Sequence, residues 1–147
     1  MEFWHLVWVW SARLLFWTCG GLAIWRGGWA ERSAAIVVFI AWVITPHLAN
    51  SHYDPGLATL LLDASVTVFC YWIALKSRRI WPLFLTACML ATVLSHFAAD
   101  FVPTFGYFAY ITTMGLMGGY GVGLSFGVAV WECEHLRKTA LRIQNSA

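Results

Sequence analysis

The chain has 147 residues, of which 61% are hydrophobic and only 11% charged, and its formal net charge is +2. Soluble domains carry about 25% charged residues, so this composition excludes an ordinary water-soluble domain. A basic excess this small also leaves nucleic-acid binding without support.

Apolar stretches near the roughly 20-residue length that crosses a bilayer recur along nearly the whole chain. The first covers residues 6–25. Its lead-in, MEFWHLVWVW, has an acid and no Lys or Arg ahead of the apolar part, unlike a secretory signal, so this stretch is expected to persist as a span. It carries one cation, Arg13. The second, 34–48, is the shortest and is expected to borrow residues at either end; Pro46 and His47 stand at its close. A connection ANSHYDPG follows, with His52 and with Asp54 opening a DPG turn. The third span, 57–75, contains Asp63, and KSRR links it to the fourth, 81–101, which carries His96 and Asp100. The fifth, 106–131, is rich in glycine, and a basic tail, 132–147, ends the chain. This tail can continue as a surface helix, with Leu136, Ala140 and Ile143 on one stripe.

A single chain crossing lipid must satisfy its backbone hydrogen bonds internally, so all five spans are expected to be helices. The expected fold is therefore an all-α membrane protein, a five-transmembrane-helix bundle over residues 1–131. Charge orients it. Of the nine Lys and Arg, Arg26 and Arg32 fall in the first connection, Lys76, Arg78 and Arg79 in the third, and Arg137, Lys138 and Arg142 in the tail. Those three segments share a side only if five spans alternate, and the positive-inside rule then sets the N-terminus outside and the C-terminus in the cytoplasm. Trp25, Trp29, Trp72, Trp81 and Trp131 fall at the inner ends of spans, as a headgroup-level tryptophan belt requires.

In the fifth span, Gly115, Gly119, Gly123 and Gly127 recur at intervals of four, broadened by Gly118 and Gly121. Each glycine weakens a helix by roughly 1 kcal/mol relative to alanine, and close backbone approach is the compensating gain in lipid. Such a ridge can pack within the chain, join two copies, or form a groove for a flat ligand or lipid.

Charged groups inside spans need partners or a function. Counted from the expected inner ends, Arg13 and Asp63 both lie about 18 Å deep, and an intramembrane Arg13–Asp63 ion pair is expected. His47 and His96 share a level nearer the outer side, at about 21 and 22 Å. Asp100 stands one turn beyond His96, and His52 and Asp54 complete an outer polar cluster. That cluster has three readings: a hydrated rim that orders helix ends; a proton, ion or solute pathway that draws in Asp63; or a bis-histidine haem or metal site on His47 and His96. Neither CxxCH nor HExxH occurs, and the four cysteines show no CxxC spacing, so no resident cofactor is expected.

Residues 75–98, LKSRRIWPLFLTACMLATVLSHFA, resemble a pattern in small multi-spanning inner-membrane proteins of alphaproteobacteria: a basic SRR entry, then Trp-Pro-Leu, then an apolar span closing on a histidine. The resemblance implies a bacterial inner membrane and carries no activity to any residue. Short connections leave little room for a catalytic domain. The expected role is thus a non-catalytic membrane component whose partners are the lipid bilayer and a second copy or another membrane protein. A small transporter or channel using Arg13, Asp63 and His96, or a haem protein, stand as the alternatives.

Overall fold

The computed structural model describes residues 2–48, 56–97 and 112–145. Five helices account for nearly all of them: α1 (Glu2–Arg26), α2 (Trp29–Leu48), α3 (Gly56–Ser77), α4 (Trp81–Ser95) and α5 (Met114–Asn145). No strand occurs among the described residues. α1, α2, α3 and α5 are long and apolar enough to cross a membrane, while α4, at 15 residues, is apolar but short. Several expected bounds shift: α2 begins at Trp29 rather than residue 34, α3 runs on to Ser77, and α4 stops at Ser95. Residues 98–101 of the fourth expected span and 106–111 of the fifth lie outside the described residues, and the basic tail is helical to Asn145 with its outer residues exposed.

Local chemistry sets the reversals. Between α1 and α2, a Cβ at Gly27 would collide with the Ala23 carbonyl oxygen and with the Glu31 side chain, so only glycine fits. Glu31, in the first turn of α2, reaches back and accepts the Gly28 backbone N–H at 2.9 Å, half of a capping box. After α3, Arg78 turns into the left-handed region (φ 53), and Pro82 stands in the first turn of α4, where it gives up no helical hydrogen bond.

Each helix packs on its chain neighbours, and α5 returns to α1, closing a ring of five. The closure is parallel. Cβ atoms added to the α5 glycines would meet, in order, Trp8 from Gly115, Ala12 from Gly119, Leu15 and Phe16 from Gly123, and Cys19 from Gly127. Residue numbers rise together along both helices, so α1 and α5 run in the same direction with three alternating helices between them. The glycine ridge is therefore occupied within the chain, by α1, and Gly118 and Gly121 face Thr92 and Cys88 of α4 in the same way.

The first part of α5, Met114–Gly121, is π-helical and the rest α-helical. π turns wind more slowly than α turns, so residues four apart drift around the axis in opposite senses in the two parts. Their junction helps keep a row spaced by four aimed at one neighbour. Tyr120 fixes the register: its hydroxyl donates to the Trp8 carbonyl at 3.0 Å and lies 2.5 Å from Ser11 Oγ, and its ring meets Trp8 edge-on at 4.8 Å.

Odd-numbered closure gathers the basic segments at one end. Arg26, at the end of α1, pairs with Glu134 of α5 at 3.1 Å. Glu31, with a side chain 0% exposed, pairs with Arg79 of the α3–α4 connection, so one carboxylate caps α2 and ties two helical hairpins together. Lys76 sits 4.9 Å from the Trp72 ring and 5.5 Å from that of Trp29, a cation–π arrangement. Trp25, Trp29, Trp72 and Trp131 are exposed around this end. Trp81 departs from the expected belt: it is 0% exposed and packs in the core against Phe126 at 6.2 Å, because the first turn of α4 faces inward.

Gly123 and Gly127 divide by the room at each. A Cβ at Gly123 would lie 2.9 Å from Leu15 Cγ and 3.3 Å from the Phe16 backbone nitrogen, whereas one at Gly127 finds ordinary contact at 3.6 Å. Gly123→Ala is expected to destabilise the bundle by about 1–3 kcal/mol, and Gly127→Ala to be neutral or to stabilise it by up to about 1 kcal/mol. Thermal unfolding of the two variants in detergent checks this, and equal melting curves would contradict the packing.

Candidate functional site

On α3, Thr59, Asp63, Val66, Cys70 and Ile73 are buried, a stripe at helical spacing with one carboxylate in its middle. On α4 the inward stripe is Leu85, Cys88, Met89, Thr92 and Ser95. His96 follows directly as the C-cap residue, so its ring leaves the helix end toward α3. There Nε2 of His96 and Oδ2 of Asp63 meet at 2.9 Å, with side chains 4% and 8% exposed. A buried imidazole N–H donating to a carboxylate satisfies both groups where water is scarce.

The expected Arg13–Asp63 pair is not what the structure forms. Arg13 is exposed and places its guanidinium 5.4 Å from the ring of Trp10, on its own helix. The cause is rotational: the inward stripe of α1 runs through Ala12 and Phe16, and residue 13 points about 100° away from residue 12. Depth explains the partner Asp63 does take. α3 ends at Ser77 and α4 begins at Trp81, so Asp63 and His96 stand at nearly the same height, about 21 and 22 Å from that turn.

His47 is exposed close to the end of α2, while His96 spends Nε2 on Asp63; the structure does not bring the two together as ligands of one group. Among the described residues no three His, Cys, Asp or Glu side chains converge as a metal site. His52, Asp54 and Asp100 lie outside the described residues.

Arg13 and Asp63 nonetheless border one cavity of about 310 Å³, to which all five helices contribute. Trp8 of α1 and Trp42 of α2 form walls, Met89 and Thr92 come from α4, and Gly115, Gly118 and Gly119 of α5 leave a surface without side chains. The two indoles are held from behind, Trp42 stacked on Phe16 at 4.5 Å and Trp8 edge-on to Tyr120 at 4.8 Å. Most spanning hydroxyls are spent on the carbonyl one turn back, as Thr45, Thr67, Thr92 and Ser125 are. Thr59, one turn before Asp63, departs from this: its Oγ1 is buried without a hydrogen-bond partner, as is Ser77 Oγ at the far end of α3.

Two polar contacts had little signal in the sequence. Glu31 follows Gly27-Gly28 at the capping-box position, which is visible, but its Arg79 partner emerges only when the hairpins pack. The Asp63–His96 pair depended on the true end of α3. Comparison with known families, with curated proteins and with solved structures finds no match for this chain.

A double-mutant cycle on Asp63→Asn and His96→Gln, read by unfolding in detergent, is expected to give a coupling of about 1–3 kcal/mol, and the cycle of Asp63→Asn with Arg13→Gln one below about 0.5 kcal/mol. The reverse order would restore the Arg13 pairing.

Proposed function

We propose that the protein is a small, non-catalytic transport protein of a bacterial inner membrane, moving a proton or small solute through the cavity that Asp63 borders. The observation that carries this reading is the buried Asp63–His96 pair at the edge of a cavity shared by all five helices. Ionisable groups at such depth are expensive and are characteristic of ion and proton pathways. A carboxylate bonded to an imidazole can take up a proton with a small rearrangement, the proton residing on either partner. The unpartnered Thr59 hydroxyl one turn away offers a next polar stop for a hydrated proton. Arg13 supplies a fixed positive charge at the rim of the same cavity.

The proposed orientation places the N-terminus outside and the C-terminus in the cytoplasm, because Arg26, Arg79 and the α5 tail meet at one end of the bundle and positive residues accumulate on the cytoplasmic side. A role as a homo-oligomer or accessory subunit would use a surface other than the glycine ridge, which α1 covers.

Orientation is checked by a cysteine introduced as Arg78→Cys in a background with its native cysteines replaced. An impermeant maleimide is expected to label it only after the inner face is opened, and labelling of intact cells would reverse the assignment. Function is checked in liposomes holding a pH-sensitive dye under a potassium-clamped pH gradient, with and without small organic solutes outside. Wild-type protein is expected to speed acidification and Asp63→Asn to slow that rate at least tenfold; a rate equal to that of protein-free vesicles under every condition would dismiss the transport reading.

A further inference from the structure

Resting on that reading of the cavity, we infer that its ligand is a small planar organic cation, held flat on the glycines of α5 between two indoles with its positive charge toward Asp63. Four features lead there. The volume, about 310 Å³, stands at the low end of the roughly 300–1,000 Å³ of small-molecule sites, which suits a two-ring molecule. Gly115, Gly118 and Gly119 line the cavity; Trp8 and Ala12 of α1 lie against the first and last of them, and Gly118, which has only Thr92 near it, leaves room for a flat face over a branched one. Trp8 and Trp42 present aromatic walls already fixed by Tyr120 and Phe16, and indoles attract cations through the ring quadrupole.

Charge decides the sign of the ligand. Among the described residues, the titratable and charged groups at the cavity with Asp63 are His96 from α4, which holds Oδ2, and Arg13 from α1, which borders the same cavity. At the cavity α2 contributes Thr45 as its polar group, and α5 contributes glycines and Met114. The Arg13 charge is drawn onto the Trp10 ring, on the exposed flank of α1. A carboxylate has about four acceptor positions on its two oxygens, and His96 occupies one of them. The remaining capacity belongs to a side chain that borders the cavity, where an N–H donor or a quaternary nitrogen gains both a counter-charge and aromatic faces.

Isothermal titration of the full-length protein in detergent tests this with three probes of one ring system: N-methylquinolinium (cationic), quinoline at pH 7.5 (neutral) and quinoline-2-carboxylate (anionic). Wild-type protein is expected to bind the cation at least tenfold tighter than the neutral ring and to show no binding of the anion. Asp63→Asn is expected to remove the cation's advantage while leaving quinoline binding unchanged, and Asp63→Glu to retain the advantage in part. Should Asp63→Asn fail to fold, Gly118→Val provides the second variant. A Cβ there makes ordinary contact with Thr92 Oγ1 at 3.5 Å, and the added methyl groups should weaken the cation at least fivefold by filling the flat surface. Equal affinity for all three probes, or preference for the anion through Arg13, would overturn the ligand class. Cation binding without any flux in liposomes would uphold the ligand class and defeat the transport reading; flux without cation preference would do the opposite.

Discussion

Packing of α1 side chains against the glycine row of α5 is the interaction on which the rest of the bundle depends. Lipid gives helices little hydrophobic reason to associate, and the first and last helices have no short connection to hold them side by side. A row of glycines lets α1 side chains settle directly on the α5 backbone, with van der Waals contact along the groove. Trp8, Ala12, Leu15 and Cys19 fill that groove in order. Because the contact is parallel, it dictates an alternating path through three intervening helices, and that path brings the first connection, the third connection and the end of α5 to a common end.

The same glycines explain why a cavity exists. Where α5 faces α1, the missing side chains are replaced by those of α1, as Trp8 does at Gly115 and Ala12 at Gly119; where it turns toward the bundle axis, Gly118 borders open space. The π-helical turns occur over this part of α5, where four of the eight residues are glycine. One sequence feature thus has two outcomes, a sealed seam on one flank and an open volume on the other. Fixed aromatic pairs at Trp8 and Trp42 keep the volume from collapsing.

Hydropathy and the positive-inside pattern made the five helices and the shared basic end legible, because lipid leaves the backbone few choices and charge sorting is a whole-segment property. The rotation of each helix was harder to read. Arg13 and Ala12 are neighbours in sequence, yet one points to the flank and the other to the core, and Arg13 alone in an apolar run gives no sign of its direction. Depth was also fragile: an end of α3 placed at Leu75 instead of Ser77 shifts Asp63 by about 3 Å, enough to match it with Arg13 instead of His96. Trp81 looked like a belt residue because it stands at a helix start, whereas the phase of α4 turns it into the core. Glu31 and Arg79 were both visible as charges, but their pairing is a property of two hairpins docking.

Two of the polar contacts between helices, Glu31–Arg79 and Asp63–His96, do different jobs. Glu31 and Arg79 join segments that no short connection joins, at an end rich in Lys, Arg and exposed Trp, where the Arg79 side chain keeps 27% of its surface open and the desolvation cost is moderated. Asp63 and His96 join α3 and α4, which a tight turn already pairs and which pack along their length. A buried charged pair is often no better for stability than apolar residues of the same size. Holding α3 to α4 is therefore a weak reason for spending two ionisable groups there. The transport proposal supplies a stronger one, since a polar pathway would use a buried carboxylate, a side chain bonded to it and an adjoining cavity.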